Sequence, residues 1–515
     1  MNTLPTAVAD PVIRDPRRRR TVLIGVCIAL MAVIASVSGL NVAQPQVAVA
    51  FDASQGDVLW MINLYTVTLA ALLLPLGAVG DRWGRKPVLL TGLAVFGVAS
   101  AAAGLAPTTE VMLAARLLSG VGAAMIMPVT LSVITTTFPD TERSKAIGVW
   151  TAVAGGGGIL GMFVSALLVD VADWRWIFLL PVVLVIAATA VAIRAVPNSR
   201  EAATHRFDLV GSLTSVVAVV GFILVLHEGP EQGWTAPATL AGLLAGVLGA
   251  IGFAAWELRR PAPLLDVRLF RERGLAGGST VLLAVFGVLA GIFVVLFPYF
   301  QAVLGWSALA ATLALMPMAV LMMAASGLAP RLAARIGARS TMAAGIAVGG
   351  FGLALMAVLV SVEGGYLSVL PGMVAMGLGM GLSMTPSTEA ITSSLPRERQ
   401  GVASALNDVT RELGTALGVA LLGAVLTAGY ANAIEARLDG VPAGVADEAR
   451  RGIAGAIAGA DGTSASAALI RSAQESFVHG WRQAMWAGVV VMALLLVYVL
   501  LLGPKRTPAP PPEGV

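Results

Sequence analysis

The residues best suited to chemistry in this chain are charged groups set where charge is expensive. The segment GAVGDRWGRKP, residues 77 to 87, gathers Asp81, Arg82, Arg85 and Lys86 between two long apolar runs. A tight turn that keeps basic residues on one side of a membrane accounts for Arg82, Arg85 and Lys86. It leaves Asp81 and the glycines unexplained. A carboxylate at the end of one helix can hold an arginine or the positive N-terminus of a neighbouring helix, while Gly77 and Gly84 allow close backbone approach and a sharp reversal. The chemistry expected here is a reversible latch between helices.

Away from the ends of the apolar runs, Arg116 and Glu389 are the ionisable groups that fall inside them. A charge near the middle of a span costs about 2.5 to 3.5 kcal/mol on insertion scales, so each is a functional candidate. Arg116 reads in two ways. It makes one half of a cavity cationic, favouring anionic or zwitterionic amphiphiles, or it bonds helix carbonyls or Asn41 and Asn63 and only positions helices. Glu389 is either the best remaining carboxylate for binding a proton or an interfacial group facing water. Asp408 and Glu412, at the start of the thirteenth run, are assigned to a gate, paired with Arg411 or a loop arginine. Met373, Met376, Met380 and Met384 share about one helical face; Met316, Met318, Met322 and Met323 crowd another run. They line a cavity or fill core.

No enzyme constellation emerges. His205, His227 and His479 are isolated, the GGGG at 155 to 158 is followed by no Lys-Ser/Thr, and Cys27 is the single cysteine, so no metal site, cofactor or disulfide is expected. Energy must come from a gradient, or movement is passive.

These groups need a scaffold, and the composition supplies it. The chain has 515 residues, 57% hydrophobic and 12% charged, with mean hydropathy +0.86. That is an all-α integral membrane protein, because a helix satisfies its backbone polar groups within its own segment. About fourteen runs are long enough to span, the thirteenth at 411 to 429 and the last at 483 to 502. Most of the 33 lysines and arginines lie in the N-terminus, the even-numbered loops and the C-terminus, which places both termini in the cytoplasm. The net charge of +4 reflects that asymmetry and calls for no nucleic acid. DRWGRK at 81 to 86 recurs as ARIGAR at 334 to 339, about half the chain away, which marks a duplication. The expected organisation is a six-helix bundle at 1 to 198, two inserted helices at 199 to 262, and a second six-helix bundle at 263 to 504 with a long extracellular loop at 430 to 480. A disordered tail at 505 to 515 follows.

Gly77, Asp81, Arg82, Gly84, Arg85 and Lys86 resemble the signature loop between spans two and three of the major facilitator superfamily. That resemblance implies two six-helix bundles, alternating access, and a loop that stabilises the outward-open state by pairing across the cytoplasmic face. Arg116, Ser119, Gly120 and Gly122 are similar to the family's Arg-x-x-Gln-Gly motif, with Ser119 in place of Gln. Gly148, Gly157 and Gly161 keep the spacing of the antiporter motif, although Met162 stands where a proline is expected and Ser165-Ala166 where two glycines are. DWRWIFLLP at 173 to 181 and GVASALNDVTRELGTALGVALLG at 401 to 423 resemble the fourteen-span drug:proton antiporter family. In the first span, Asn41, Ala43 and Pro45 follow that family's pattern, but Ser36 occupies the aspartate position, so its role in cation recognition or proton coupling does not carry over.

The resemblance implies a bacterial plasma-membrane exporter of small amphiphilic compounds, monomeric, surrounded by lipid and coupled to protons. An importer or facilitator of the same fold, or a non-transporting membrane sensor, are the alternatives.

Overall fold

The computed structural model describes residues 12–200, 207–439, 441–460 and 466–504. The tail expected to be disordered, 505–515, lies outside the described residues, as does His205. Among the described residues, fourteen helical stretches are long and apolar enough to cross a membrane. The first six long helices are α1 (Pro16–Val42), α3 (Gln55–Trp83), α4 (Arg85–Gly104), α5 (Thr109–Thr137), α6 (Asp140–Val171) and α7 (Trp176–Ala195), with the short α2 (Gln44–Phe51) after the first. Next come α8 (Leu209–Gln232) and α9 (Pro237–Glu257). The last six spans are built from α10 (Arg273–Pro298), α11 (Ala308–Ala314) running into α12 (Met316–Ile336), α13 (Ala338–Leu359), α14 (Gly365–Ser393), α15 (Gln400–Glu435) and α18 (Ser466–Leu502). An even number of spans puts both described ends on one face, here termed the terminal face; the other is the distal face.

The helix pairings of the first set recur in the last. α1 packs on α6 and α7, α5 on α3 and α4, and α4 on α7; correspondingly, α10 packs on α15 and α18, α14 on α12 and α13, and α13 on α18. The repeated loop motif folds alike in both copies. Gly84 ends α3 and opens α4 at φ 110°, and Gly337 ends α12 and opens α13 at φ 91°, a region L side chains rarely adopt. The copies differ at both members of one ion pair: Ala334 stands where the first copy has Asp81, and Ala338 where it has Arg85.

Two boundaries depart from the sequence expectation. α15 begins at Gln400 rather than 411, because Asp408 is fully buried and pairs one turn along with Arg411, so its charge does not break the helix away from the protein interior. The connection at 430 to 480 is largely helical: α15 runs on to Glu435, α16 (Ala443–Arg451) and α17 (Ile453–Ala460) follow, and α18 starts at Ser466 rather than 483. Its charges pair at the distal surface, Arg450 with Glu435 at 2.9 Å and Arg471 with Glu363 at 2.7 Å, which lets helices continue past the apolar stretch.

α8 and α9 pack mainly on each other, and α8 also touches α3 and α15. Glycines make the pair possible, as expected where close van der Waals packing, not hydrophobic exclusion, joins helices in lipid. A Cβ on Gly249 would lie 2.6 Å from the Ala218 backbone nitrogen, whereas one on Gly252, a turn along, would meet nothing nearer than Thr214 Cγ2 at 3.6 Å. Gly249→Val should therefore destabilise the purified protein by about 1 to 3 kcal/mol, the range for overpacking, and Gly252→Val by much less. Thermal unfolding in detergent reads the difference, and equal effects would contradict this packing.

Candidate functional site

The residues expected to form a latch come together at the terminal face, between α3 and the start of α15. Asp81 is 2% exposed. Its Oδ1 accepts from the Gly401 amide at 2.8 Å and its Oδ2 from the Val402 amide at 3.1 Å, so the carboxylate caps the positive end of α15. Arg85 Nη2 donates to Asp81 Oδ1 at 2.5 Å and to the carbonyls of Arg397 and Glu398 at 3.3 and 3.2 Å; its Nη1 donates to Ser199 Oγ at 3.1 Å. Gly77 is required for this approach, since a Cβ there would lie 2.5 Å from the Gly401 carbonyl oxygen. Lys86 reaches away, donating to the Ile193 carbonyl at 2.6 Å, and Arg82 is half-buried.

A second seam joins the halves where α6 lies along α11, α12 and α14. A Cβ on Gly148 would sit 2.9 Å from the Ser326 carbonyl oxygen and 3.1 Å from Pro330 Cγ. Gly157 and Gly161 face α1 instead, against Met31 and Ala35. Between them, Gly155 and Gly156 meet Met322, Met384 and Met323, so part of the methionine set fills a seam between halves. Met373, Met376, Met380 and Met384 are all fully buried. No proline interrupts α6.

Glu389, on the terminal half of α14, is half-buried and accepts from Ser144 Oγ of α6; Arg143 lies within electrostatic range. Arg397 bridges to Asp140 at 2.7 Å. Both contacts cross between the halves near the latch.

Deeper in, Arg116 is 1% exposed. Its Nε donates to the Met61 carbonyl at 3.0 Å and its Nη1 to Ser36 Oγ at 3.1 Å, and its guanidinium lies 4.4 Å from the centre of the Tyr65 ring. Arg116 and Ser36 are thus brought together. Asn41 is not: it is exposed, and its Nδ2 donates to the Val37 carbonyl of its own helix at 3.0 Å. Asn63 makes no bond to Arg116 either.

Beginning α15 at Gln400 moves three ionisable groups into the interior that the sequence reading left near a span end. Arg411 Nη1 faces Asp408 Oδ1 at 3.4 Å, its Nη2 faces the Ala154 carbonyl of α6 at 3.4 Å, and its guanidinium packs 4.4 Å from the Phe286 ring. Asn407 Nδ2 donates to Asp408 Oδ1 at 3.2 Å. Glu412, half-buried, is within electrostatic range of Tyr65. A polar constellation therefore runs from Ser36 and Arg116 through Tyr65 to Glu412, Arg411 and Asp408, joining the halves. Asp408 Oδ2, Asn407 Oδ1, Arg411 Nε and Arg116 Nη2 are buried without a hydrogen-bond partner in the protein. The missed signal was small residues at Gly401, Ala405, Gly414 and Gly418, a helical seam that already begins before 411.

Removing one partner of a buried charge pair costs about 3 to 5 kcal/mol, so Asp81→Ala should open the terminal face. In a Cys27→Ala background, a cysteine replacing the fully buried Ser404 reports it: water-soluble maleimide should react at least about tenfold faster in Asp81→Ala, with Asp81→Asn intermediate. Equal rates would show that Asp81 is not a latch.

The geometry finds close company. Residues 26–419 match the Major Facilitator Superfamily. The multidrug efflux pump LfrA of Mycolicibacterium smegmatis is 31% identical over 95% of this chain and 95% of its own length. The puromycin resistance protein pur8 of Streptomyces alboniger is 32% identical over 97% of this chain and 94% of its own. Among solved structures, the proton:xylose symporter XylE bound to 6-bromo-6-deoxy-D-glucose superposes with a TM-score of 0.60 at 13% identity, covering 95% of this chain and 96% of that one, a likeness of fold alone. With a match over most of its length and helix pairings that recur between its first and last six spans, the chain belongs to the Major Facilitator Superfamily.

Proposed function

We propose that this protein exports small amphiphilic compounds by alternating access, driven by proton influx, with its terminal face in the cytoplasm of a bacterial cell. The observation that carries the reading is the set of Asp81 contacts: hydrogen bonds between the halves gather toward the terminal face, the arrangement of an alternating-access transporter facing outward. The relatives named for multidrug efflux and puromycin resistance support the direction and the substrate class. The basic residues of the even-numbered loops support the orientation.

The moving units in this reading are the two six-helix bundles, 1 to 198 and 263 to 504, with the pair at 199 to 262 riding between them, in a monomer. The central constellation takes the substrate. Two arginines there are offset by Asp408 and Glu412, and buried polar atoms stand ready to bond a polar group, so a zwitterionic amphiphile fits best and an anionic one next. With Ser36 at the family's aspartate position, Asp408 is the proton acceptor we favour over Glu389, which is committed to Ser144 at the gate. A proton on Asp408 removes the charge that holds Arg411 and frees that arginine, which also reaches α6 of the other half.

Everted membrane vesicles under an imposed proton gradient test this with one cationic, one zwitterionic and one anionic amphiphile. Uncoupler-sensitive accumulation of the zwitterion is expected; movement indifferent to the uncoupler would indicate a facilitator. Arg116→Gln should reduce accumulation of the zwitterionic and anionic compounds by about tenfold or more at unchanged protein level, as loss of one charged hydrogen-bonding partner predicts. Unchanged accumulation would leave Arg116 a helix-positioning group. Asp408→Asn should abolish proton-driven accumulation and keep substrate exchange, whereas intact accumulation would exclude Asp408 as the coupling residue.

A further inference from the structure

Between the distal ends of α3 and the inserted helix α8 lies a crevice that neither the latch nor the central constellation uses. Its volume is about 140 Å³, and its walls carry Trp60 and Asn63 from α3 and His227 and Glu228 from α8, beside Leu59 and Leu224. Its floor is apolar and tight, where Val67 packs on Ile223 and, beyond them, Leu413 of α15. Asn63 lies eight residues into α3 and Glu228 four residues from the end of α8, about 12 and 6 Å along the helices, the level at which headgroups meet hydrocarbon.

Polar side chains at that depth are costly unless they meet a partner. Among the described residues, no hydrogen bond engages the side chain of Asn63 or of His227, and Glu228 meets only Gln232 on its own helix. The lining holds a carboxylate and no lysine or arginine, and Trp60 is 43% exposed. A carboxylate beside an aromatic face, above a leucine-lined wall, is complementary to a cation carried on an alkyl chain.

We infer that the α3–α8 crevice binds the ammonium head of a membrane-partitioned amphiphile, with Glu228 as counter-ion, Trp60 as aromatic wall and the chain lying along Leu59 and Leu224. The ligand is either a phospholipid with an ammonium head or a single-chain ammonium compound. Such a site gives the inserted pair a role that neither bundle supplies. It stands apart from the export reading, because its readout is binding.

The full-length protein in nanodiscs of phosphatidylglycerol, which has no ammonium, is photolabelled with a dodecyltrimethylammonium probe carrying a diazirine in its chain, and adducts are mapped by peptide mass spectrometry. Adducts should concentrate at Leu59, Val67 and Leu224. They should fall about tenfold in Glu228→Gln, the loss of one partly buried ion pair, less in Trp60→Ala, and not in Glu363→Gln elsewhere on the distal face. Glutamine keeps the shape of the side chain, and unchanged thermal unfolding shows that the variant is folded. Competition by phosphatidylethanolamine assigns the site to a lipid ammonium, and competition by unlabelled dodecyltrimethylammonium alone assigns it to single-chain compounds; both uphold the inference. Equal competition by uncharged dodecanol, or labelling indifferent to Glu228→Gln, overturns it.

Discussion

Much of this structure depends on one carboxylate holding two amide hydrogens. Asp81 ends α3 and caps the first turn of α15, 320 residues away in sequence, where the helix dipole is positive and the amides have no partner within the helix. The position permits no substitute interaction. Gly77 and Gly401 bring the two backbones so close that water cannot replace the lost bonds, and Arg85 supplies the positive charge that makes a buried aspartate tolerable. The partners come from different halves, so these bonds tie the start of α15 to the end of α3.

The interior arginines show two ways of keeping a charge out of water. Arg116 relies on a carbonyl, a serine hydroxyl and the face of Tyr65, none of them ionised. Arg411 relies on an aspartate, and also on the ring of Phe286 and a carbonyl of the opposite half. Only the second arrangement can be altered by one proton. The acidic partner lies on α15, the same helix whose first turn Asp81 caps.

Beyond its terminal end, where Ser144 and Asp140 bond across to Glu389 and Arg397, the seam along α6 sets glycines against methionines. Glycine removes side-chain bulk at the contact, and the unbranched thioethers of Met322, Met323 and Met384 can follow a shifting surface without leaving a void. Directed hydrogen bonds between the halves therefore concentrate at the terminal end, and soft packing follows along α6.

The all-helical membrane fold was legible in the amino-acid sequence, because hydropathy is a local sum and the bilayer demands helices of a fixed length. The sequence also singled out Asp81 and Gly84, since a lone carboxylate and a glycine in a basic turn each have few physical explanations, and the structure pairs Asp81 with Arg85 and the α15 amides and puts Gly84 at positive φ. Other features were decided only by tertiary structure. Asp408, Arg411 and Glu412 look like the polar end of a span until Arg411 finds Asp408, Phe286 and Ala154 around it. Ser36 and Asn41 sit five residues apart, yet one meets Arg116 and the other turns outward. Glu389 could face water or a cavity, and it meets Ser144 across the seam. In each case the cost of burying a polar group depends on what lies opposite, and what lies opposite comes from a distant part of the chain, so local sequence carries the price of desolvation but not its compensation.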